Sequence, residues 1–249
     1  MEESKTASAV KLEPASRQRH SCWSCGDMRA AQFCAACGKV QQPSAGDYFS
    51  FFNLPRKLDL NLAQLERDFH ELSRHLHPDL NARSSEQEQA WSLEMSSLLN
   101  DAYRTLRDPV ERTAYLLKIE GLDIEGQSKR ATEAARASGQ VKRQSLPPEM
   151  LEEVFELNMQ LEEARANGSP DEAGTAALEA TLAHWKERRK ALLEELHECW
   201  RQWDAMLVAE KGFIDLSARQ KLLERMMQLL NRHAYIRNIL RDINEVLGM

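Results

Sequence analysis

The 249-residue chain has no long apolar run: nothing in it approaches the roughly 20 consecutive apolar residues of a bilayer-spanning helix. Turn-forming residues are scarce. Ten glycines and eight prolines leave too few tight turns for an all-β fold. Positive charge is not in excess, because the net charge is −6 at pH 7, so the overall field gives no help in binding nucleic acid. Catalytic signatures are missing too. There is no Walker loop, no glycine-rich dinucleotide fingerprint, no Gly-x-Ser-x-Gly elbow and no His-Glu-x-x-His. The chain is therefore expected not to be an enzyme. What remains is 29% charged and 42% hydrophobic residues, the balance of a soluble, mainly helical protein of one or two domains. Met1-Glu2-Glu3-Ser4-Lys5 is acidic with no apolar core after it, so neither a signal nor a transit peptide is expected, and the expected compartment is the cytoplasm.

Cysteine is rare but concentrated. Four of the five cysteines fall between 22 and 37, as Cys22-x-x-Cys25 and Cys34-x-x-Cys37, each pair followed at once by glycine, Gly26 or Gly38. Glycine allows the tight turn that aims backbone N–H groups at thiolates. In a reducing compartment such pairs more often hold metal than form disulfides. Four thiolates suit tetrahedral Zn(2+), one structural ion per chain held by Cys22, Cys25, Cys34 and Cys37. A redox dithiol or an iron–sulfur cluster is the alternative reading. Trp23 and Phe33 are expected to cover so small a fold, and residues 1–20 are expected to be disordered.

Beyond the cysteines the pattern turns helical. Asp47 starts a short helix through Phe51 and Phe52. Leu62, Leu65, Phe69, Leu72 and Leu76 recur at steps of three and four, behind a capping spacing Asn61-x-x-Gln64. Met95, Leu98, Leu99, Ala102, Tyr103 and Leu106 repeat the pattern behind Ser85-x-x-Glu88. Pro78 has no N–H and biases His77 away from helical dihedrals, so the first of these long helices ends at Leu76. The two helices form a hairpin with His77, Pro78 and Asp79 at its exposed tip. Asp108-Pro109-x-Glu111 starts a fourth helix, which Gly121 ends.

These residues together resemble a J domain. Asp47-Tyr48-Phe49, Leu54-Pro55, the His77-Pro78-Asp79 tip, Asn100-Asp101-Ala102-Tyr103-Arg104-Thr105-Leu106 and Arg112-Thr113-Ala114-Tyr115-Leu116-Leu117 resemble that of the HscB family of co-chaperones. The resemblance covers about residues 47–121 closely and the C-terminal helices more loosely. It implies that His77, Pro78, Asp79 and Arg74 bind the ATPase of a DnaK/HscA-class chaperone and stimulate it. It departs at Leu80, where many members carry Lys or Arg, and the preceding helix is not net basic: Glu66, Asp68 and Glu71 lie near Arg67 and Arg74. Arg67 alone, and His75, are expected to be ordinary surface. Some family members also carry a tetracysteine extension.

Residues 122–146 read as a linker: five basic residues (Lys129, Arg130, Arg136, Lys142, Arg143) against three acidic (Asp123, Glu125, Glu133) give +2, among small polar ones. Arg130–Ala137 is a candidate for transient helix. A helix of about 148–166 follows, apolar on two faces. Met150, Val154, Leu157 and Leu161 make one stripe; Leu151, Phe155 and Met159 make the other, which is either buried or a binding patch. The resemblance favours the patch: in that family this helix and an aromatic on the last helix bind the IscU-type iron–sulfur scaffold, at positions matching Leu151, Phe155, Glu156, Glu163 and Tyr235. Asn167-Gly168 ends the helix and Ser169-Pro170 starts the next, running towards Lys211-Gly212. Its seam is Leu178, Leu182, Trp185, Leu192, Leu196, Cys199, Trp203 and Met206, interrupted by Arg189. Cys199 is expected to be an inert buried thiol, and Trp185 and Trp203 core. A last helix, about 216–247, repeats the seam.

The expected fold is all-α: a small N-terminal zinc knuckle (1–46), a four-helix J domain (47–121), the linker and a C-terminal antiparallel three-helix bundle (147–249), L-shaped by resemblance. Two other function readings stay open at this point, a J protein for general unfolded clients and a zinc-ribbon nucleic-acid binder.

Overall fold

Helices begin where the sequence supplies caps. The computed structural model describes residues 21–28, 31–44, 46–122, 148–166, 172–209 and 215–248. Residues 1–20, nearly all of the expected linker with Arg130–Ala137, and the helix boundaries expected at Asn167-Gly168, Ser169-Pro170 and Lys211-Gly212 lie outside them. Seven α-helices are described: α1 (Tyr48–Phe51), α2 (Leu62–Leu76), α3 (Glu86–Arg107), α4 (Pro109–Ile119), α5 (Pro148–Ala166), α6 (Glu172–Ala209) and α7 (Leu216–Leu247). A 3-10 turn, Pro78–Asn81, follows α2. The only extended pairing among the described residues is an isolated antiparallel bridge, Phe33 with Val40. No described helix is long and apolar enough to cross a membrane.

Two compact units divide the chain, Met1–Arg112 and Thr113–Met249. In the first, the apolar faces of α2 and α3 meet. Leu65 and Leu76 of α2 and Met95, Leu99, Ala102 and Leu106 of α3 are buried, and Phe69 stacks on Tyr103 with ring centroids 4.2 Å apart. Phe49, Phe51 and Phe52 are buried where α1 packs against α3. Leu62, in the first turn of α2, stays largely exposed.

The caps follow the sequence closely, with one difference. Ser85 and Glu88 form both halves of a capping box at α3. At α2 only the forward half forms: Asn61 accepts from the Gln64 N–H at 3.1 Å, while the Gln64 side chain donates to Asp68 at 2.7 Å instead of reaching back. The Asp108 carboxylate accepts from the Val110 and Glu111 amides at 2.8 and 2.9 Å, ahead of Pro109 at the first helical position. Gly121 ends the segment with φ +90°, a left-handed conformation that glycine adopts without strain.

In the second unit α6 and α7 are the long antiparallel pair. Glu195 of α6 pairs with Arg225 of α7 at 3.9 Å, and Arg219 lies over the Trp203 ring at 5.4 Å, so contacts run in opposite order along the two helices. Leu178, Leu182, Trp185, Leu192, Leu196, Cys199 and Trp203 are buried on α6, and Arg189 at the interruption of the seam is exposed. Met226, Leu229, Leu230, Ile236, Leu240 and Ile243 face them from α7. Helix α5 lays Val154, Leu157, Leu161 and Ala164 against this pair, and its Glu153 pairs with Arg188 of α6. The unit also takes in most of α4. Trp200 of α6 donates its indole N–H to Thr113 at 3.0 Å, and Arg219 of α7 pairs with Glu120. The division between units thus falls inside α4.

Candidate functional site

The hairpin tip is built from the end of α2. The Leu76 side chain is buried, whereas the Asp79 side chain is 90% exposed and that of His77 53% exposed. Backbone bonds shape the turn: the Leu80 N–H donates to the His77 carbonyl at 3.1 Å, and the Asp79 N–H donates to His77 Nδ1 at 3.2 Å. The second bond requires an unprotonated Nδ1. Asp79 therefore presents its carboxylate to solvent from a backbone that is itself fixed. His77 and Pro78 line a shallow cleft with Ser73, Leu93 and Asn100.

Arg74 is exposed one turn before the tip, its Nε donating to the His70 carbonyl at 3.2 Å. Arg67, His70, Glu71, Arg74 and His75 line one shallow cleft on the exposed side of α2. Arg67 donates to Gln64 at 2.7 Å.

The four cysteine sulfurs converge, all within 4.8 Å of one another. Cys22 and Cys37 approach to 3.7 Å and Cys25 and Cys34 to 3.6 Å. Tetrahedral coordination at about 2.3 Å per sulfur requires sulfurs about 3.8 Å apart, so the donor set fits such an ion. Each Cys-x-x-Cys-Gly turn is closed by its glycine: the Gly26 N–H donates to the Cys22 carbonyl at 2.9 Å and the Gly38 N–H to the Cys34 carbonyl at 2.7 Å. Both glycines have positive φ, +78° and +76°. Burial opposes ionisation of Cys22, but the amides of Cys25 and Ser24 outweigh it and pull its thiol down to about 6. The Asp27 amide favours the Cys25 thiolate, yet Cys34 and Cys37 beside it push that thiol up to about 12. The four cysteines are positioned to bind a metal ion.

The knuckle's aromatics do not simply fold over it. Trp23 donates its indole N–H to the Val40 carbonyl at 2.8 Å but stands half exposed, its ring meeting Trp91 of α3 edge-on at 5.9 Å. Phe33 stacks on His75 of α2 with centroids 3.9 Å apart. Lys39 pairs with the buried Glu88 of α3 at 2.9 Å, and Gln32 donates to the Phe51 carbonyl. The knuckle is docked on the hairpin. Sequence reasoning missed this, because the partners lie from 19 to 68 residues apart.

On α5, Phe155 is 66% and Met159 57% exposed, and Glu156 and Glu163 are exposed beside them. The alternative of a fully buried helix fails at Phe155 and Met159. The side chain of Leu151 lies outside the described residues. Tyr235 of α7 is half-buried, and burial raises its hydroxyl pKa, with Asp242 adding to the shift. Cys199 is buried in the α6 seam, and desolvation pushes its thiol up, the state of an unreactive packing residue.

Comparisons with known proteins agree with this layout. A family model described as the HSCB C-terminal oligomerisation domain matches residues 146–244. The mouse iron-sulfur cluster co-chaperone protein HscB is 30% identical over 190 residues, 74% of this chain and 71% of the mouse protein. A co-chaperone protein HscB homolog of Aliivibrio fischeri is 30% identical over 183 residues, 74% of this chain and 96% of its own. The crystal structure of human co-chaperone protein HscB superimposes with a TM-score of 0.59 at 24% identity, over 90% of this chain and 96% of the human one, and shows the same fold. These relatives are named as co-chaperones, not as enzymes.

Proposed function

The chain belongs to the HscB family of iron–sulfur cluster co-chaperones, and from that premise we propose that it binds an Hsp70-type chaperone and an iron–sulfur scaffold protein at two separate places. The hairpin tip, His77, Pro78 and Asp79 with Arg74 behind it, docks on a DnaK/HscA-class ATPase and stimulates ATP hydrolysis. Asp79 offers a rigid carboxylate to a cationic group of the chaperone, arginine above all, whose planar fork accepts a carboxylate through two parallel bonds. The face of α5 carrying Leu151, Phe155, Glu156 and Glu163, together with Tyr235 of α7, captures an IscU-type scaffold. Phe155 supplies the apolar anchor, while the two acids supply orientation and association rate. The chain itself turns over no substrate. Carrying both partners, it converts the meeting of chaperone and scaffold into an effectively intramolecular event.

The ion at Cys22, Cys25, Cys34 and Cys37 is Zn(2+), one per chain, in a structural role. Four thiolates leave no open position for substrate, which supports that role. The expected J-domain span, 47–121, and the scaffold-binding span, 147–249, are retained as functional regions.

The observation that carries the docking reading is the Asp79 carboxylate, 90% exposed on a backbone held by local hydrogen bonds. Its test is the steady-state ATPase of an HscA-class chaperone with wild-type protein and with Asp79→Asn. The substitution keeps shape and removes charge. Stimulation should fall to the unstimulated rate while scaffold binding stays unchanged; equal stimulation by the variant refutes the assigned tip.

A further inference from the structure

The tip is held from outside itself. Pro78 ends α2, and the Leu80 N–H, which an uninterrupted helix would direct to the Leu76 carbonyl, donates to that of His77 instead. The Leu76 carbonyl turns to α3, where two hydroxyls meet it: Ser92 Oγ and Ser96 Oγ each donate to it at 2.7 Å. Asn81, the last residue of the 3-10 turn, spans the gap with one amide group. Its Nδ2 donates to the His77 carbonyl at 3.1 Å and to Ser92 Oγ at 3.2 Å. The proton inventory closes: the two Asn81 N–H bonds have one acceptor each, Ser92 accepts once and donates once, and the Leu76 carbonyl uses both lone pairs. Ser92 is fully buried and Asn81 nearly so, in a setting where a missing partner is costly.

Serine within a helix ordinarily bonds back to a carbonyl of its own helix. Asn100 of α3 does so, donating to the Ser96 carbonyl at 2.9 Å. Ser92 and Ser96 instead reach across the hairpin to a residue 16 and 20 positions earlier. The last two carbonyls before Pro78 are thereby bracketed to α3, and the turn that carries Asp79 is fastened at its far end by Asn81.

We propose that Ser92, Ser96 and Asn81 are positioning residues that hold the His77-Pro78-Asp79 tip in its chaperone-docking geometry. This rests on the docking reading above. Their bonds go to the Leu76 and His77 carbonyls and to one another, so their effect passes through the backbone of the tip. Loss of one bond lets the turn sample other orientations, so docking weakens while a docked complex turns over as before.

The test pairs two measurements on the full chain: chaperone ATPase against co-chaperone concentration, and hydrogen exchange at the Asp79 and Leu80 amides against amides within α2 and α3. Ser92→Ala is expected to raise the half-maximal concentration about tenfold with the same plateau, the scale of one buried hydrogen bond. Asn81→Asp, which turns a donor into an acceptor beside another acceptor, should raise it further. Ser96→Thr keeps the hydroxyl at a half-buried position and should retain the wild-type curve. Exchange at Asp79 and Leu80 should quicken about tenfold, with the helix interiors unchanged. If Ser92→Ala does not fold, Ser96→Ala removes one of the two bonds to Leu76 and should shift the curve about threefold. Wild-type curves for both Ser92→Ala and Asn81→Asp overturn the proposal. So does exchange that quickens equally along both helices, the mark of a merely structural role. If the wild-type protein stimulates no such chaperone, the docking reading has failed; the exchange arm then still decides whether these side chains hold the tip.

Discussion

At the scale of single residues, Glu88 shows how a buried charge is made tolerable. Burial pushes its carboxyl pKa up, but the Lys39 ammonium and the Ser85 amide and hydroxyl outweigh burial and hold it below its ordinary value. A depressed folded value means that the stabilisation is present above the unfolded carboxylate range and is lost as pH falls through the folded value. Thermal melts at pH 7 and pH 4 should show Lys39→Ala lowering stability by about 1 kcal/mol at pH 7, a figure discounted because Lys39 is more than a third exposed. The variant should also lose less than the wild type does on acidification. Equal pH dependence in the two proteins argues against the pair. On α5 two neighbours make opposite predictions. Phe155→Ala should weaken scaffold binding tenfold or more with the melting temperature unchanged, since its ring is mostly exposed. Leu157→Ala should cost about 2–5 kcal/mol of stability, since it is buried. Calorimetry on both variants checks the contrast, and a collapse in stability at Phe155→Ala contradicts it.

Among the elements, helix starts and stops were legible because they are local. A cap, a proline at the first turn and a glycine at the end act within a few residues. Asp215 was overlooked although it carries the same signal: its carboxylate accepts from the Ser217 and Ala218 amides at 2.9 and 3.1 Å and starts α7. Trp200 was not legible. It sits one position beyond Cys199 of the seam, and its partner Thr113 lies 87 residues upstream. The docking of the knuckle was hidden for the same reason, since Phe33 with His75 and Trp23 with Trp91 are contacts that no spacing rule announces. That docking yields a prediction. A strong chelator should release about one zinc per chain, undo the Trp23–Trp91 contact with a red shift in tryptophan emission, and leave the helical circular dichroism near its starting value. A chain that keeps its emission spectrum after metal loss contradicts the assignment of the knuckle's fold to its metal.

For the whole molecule, the two-unit division runs through α4. Leu116 and Leu117 of α4 are fully buried, Thr113 accepts from Trp200, and Glu120, just past the end of α4, pairs with Arg219. The helix that closes the J-like sequence is also a packing element of the C-terminal unit. A sequence pattern shows where a helix ends but not which core its face joins. The central claim is that one chain brings two partners together. Its most direct test is chaperone ATPase with scaffold alone, with this protein alone and with both, repeated with Phe155→Ala. The account predicts that the combination exceeds the sum of the two and that Phe155→Ala reduces it to that sum while keeping its own stimulation. A merely additive rate with the wild-type protein would contradict it.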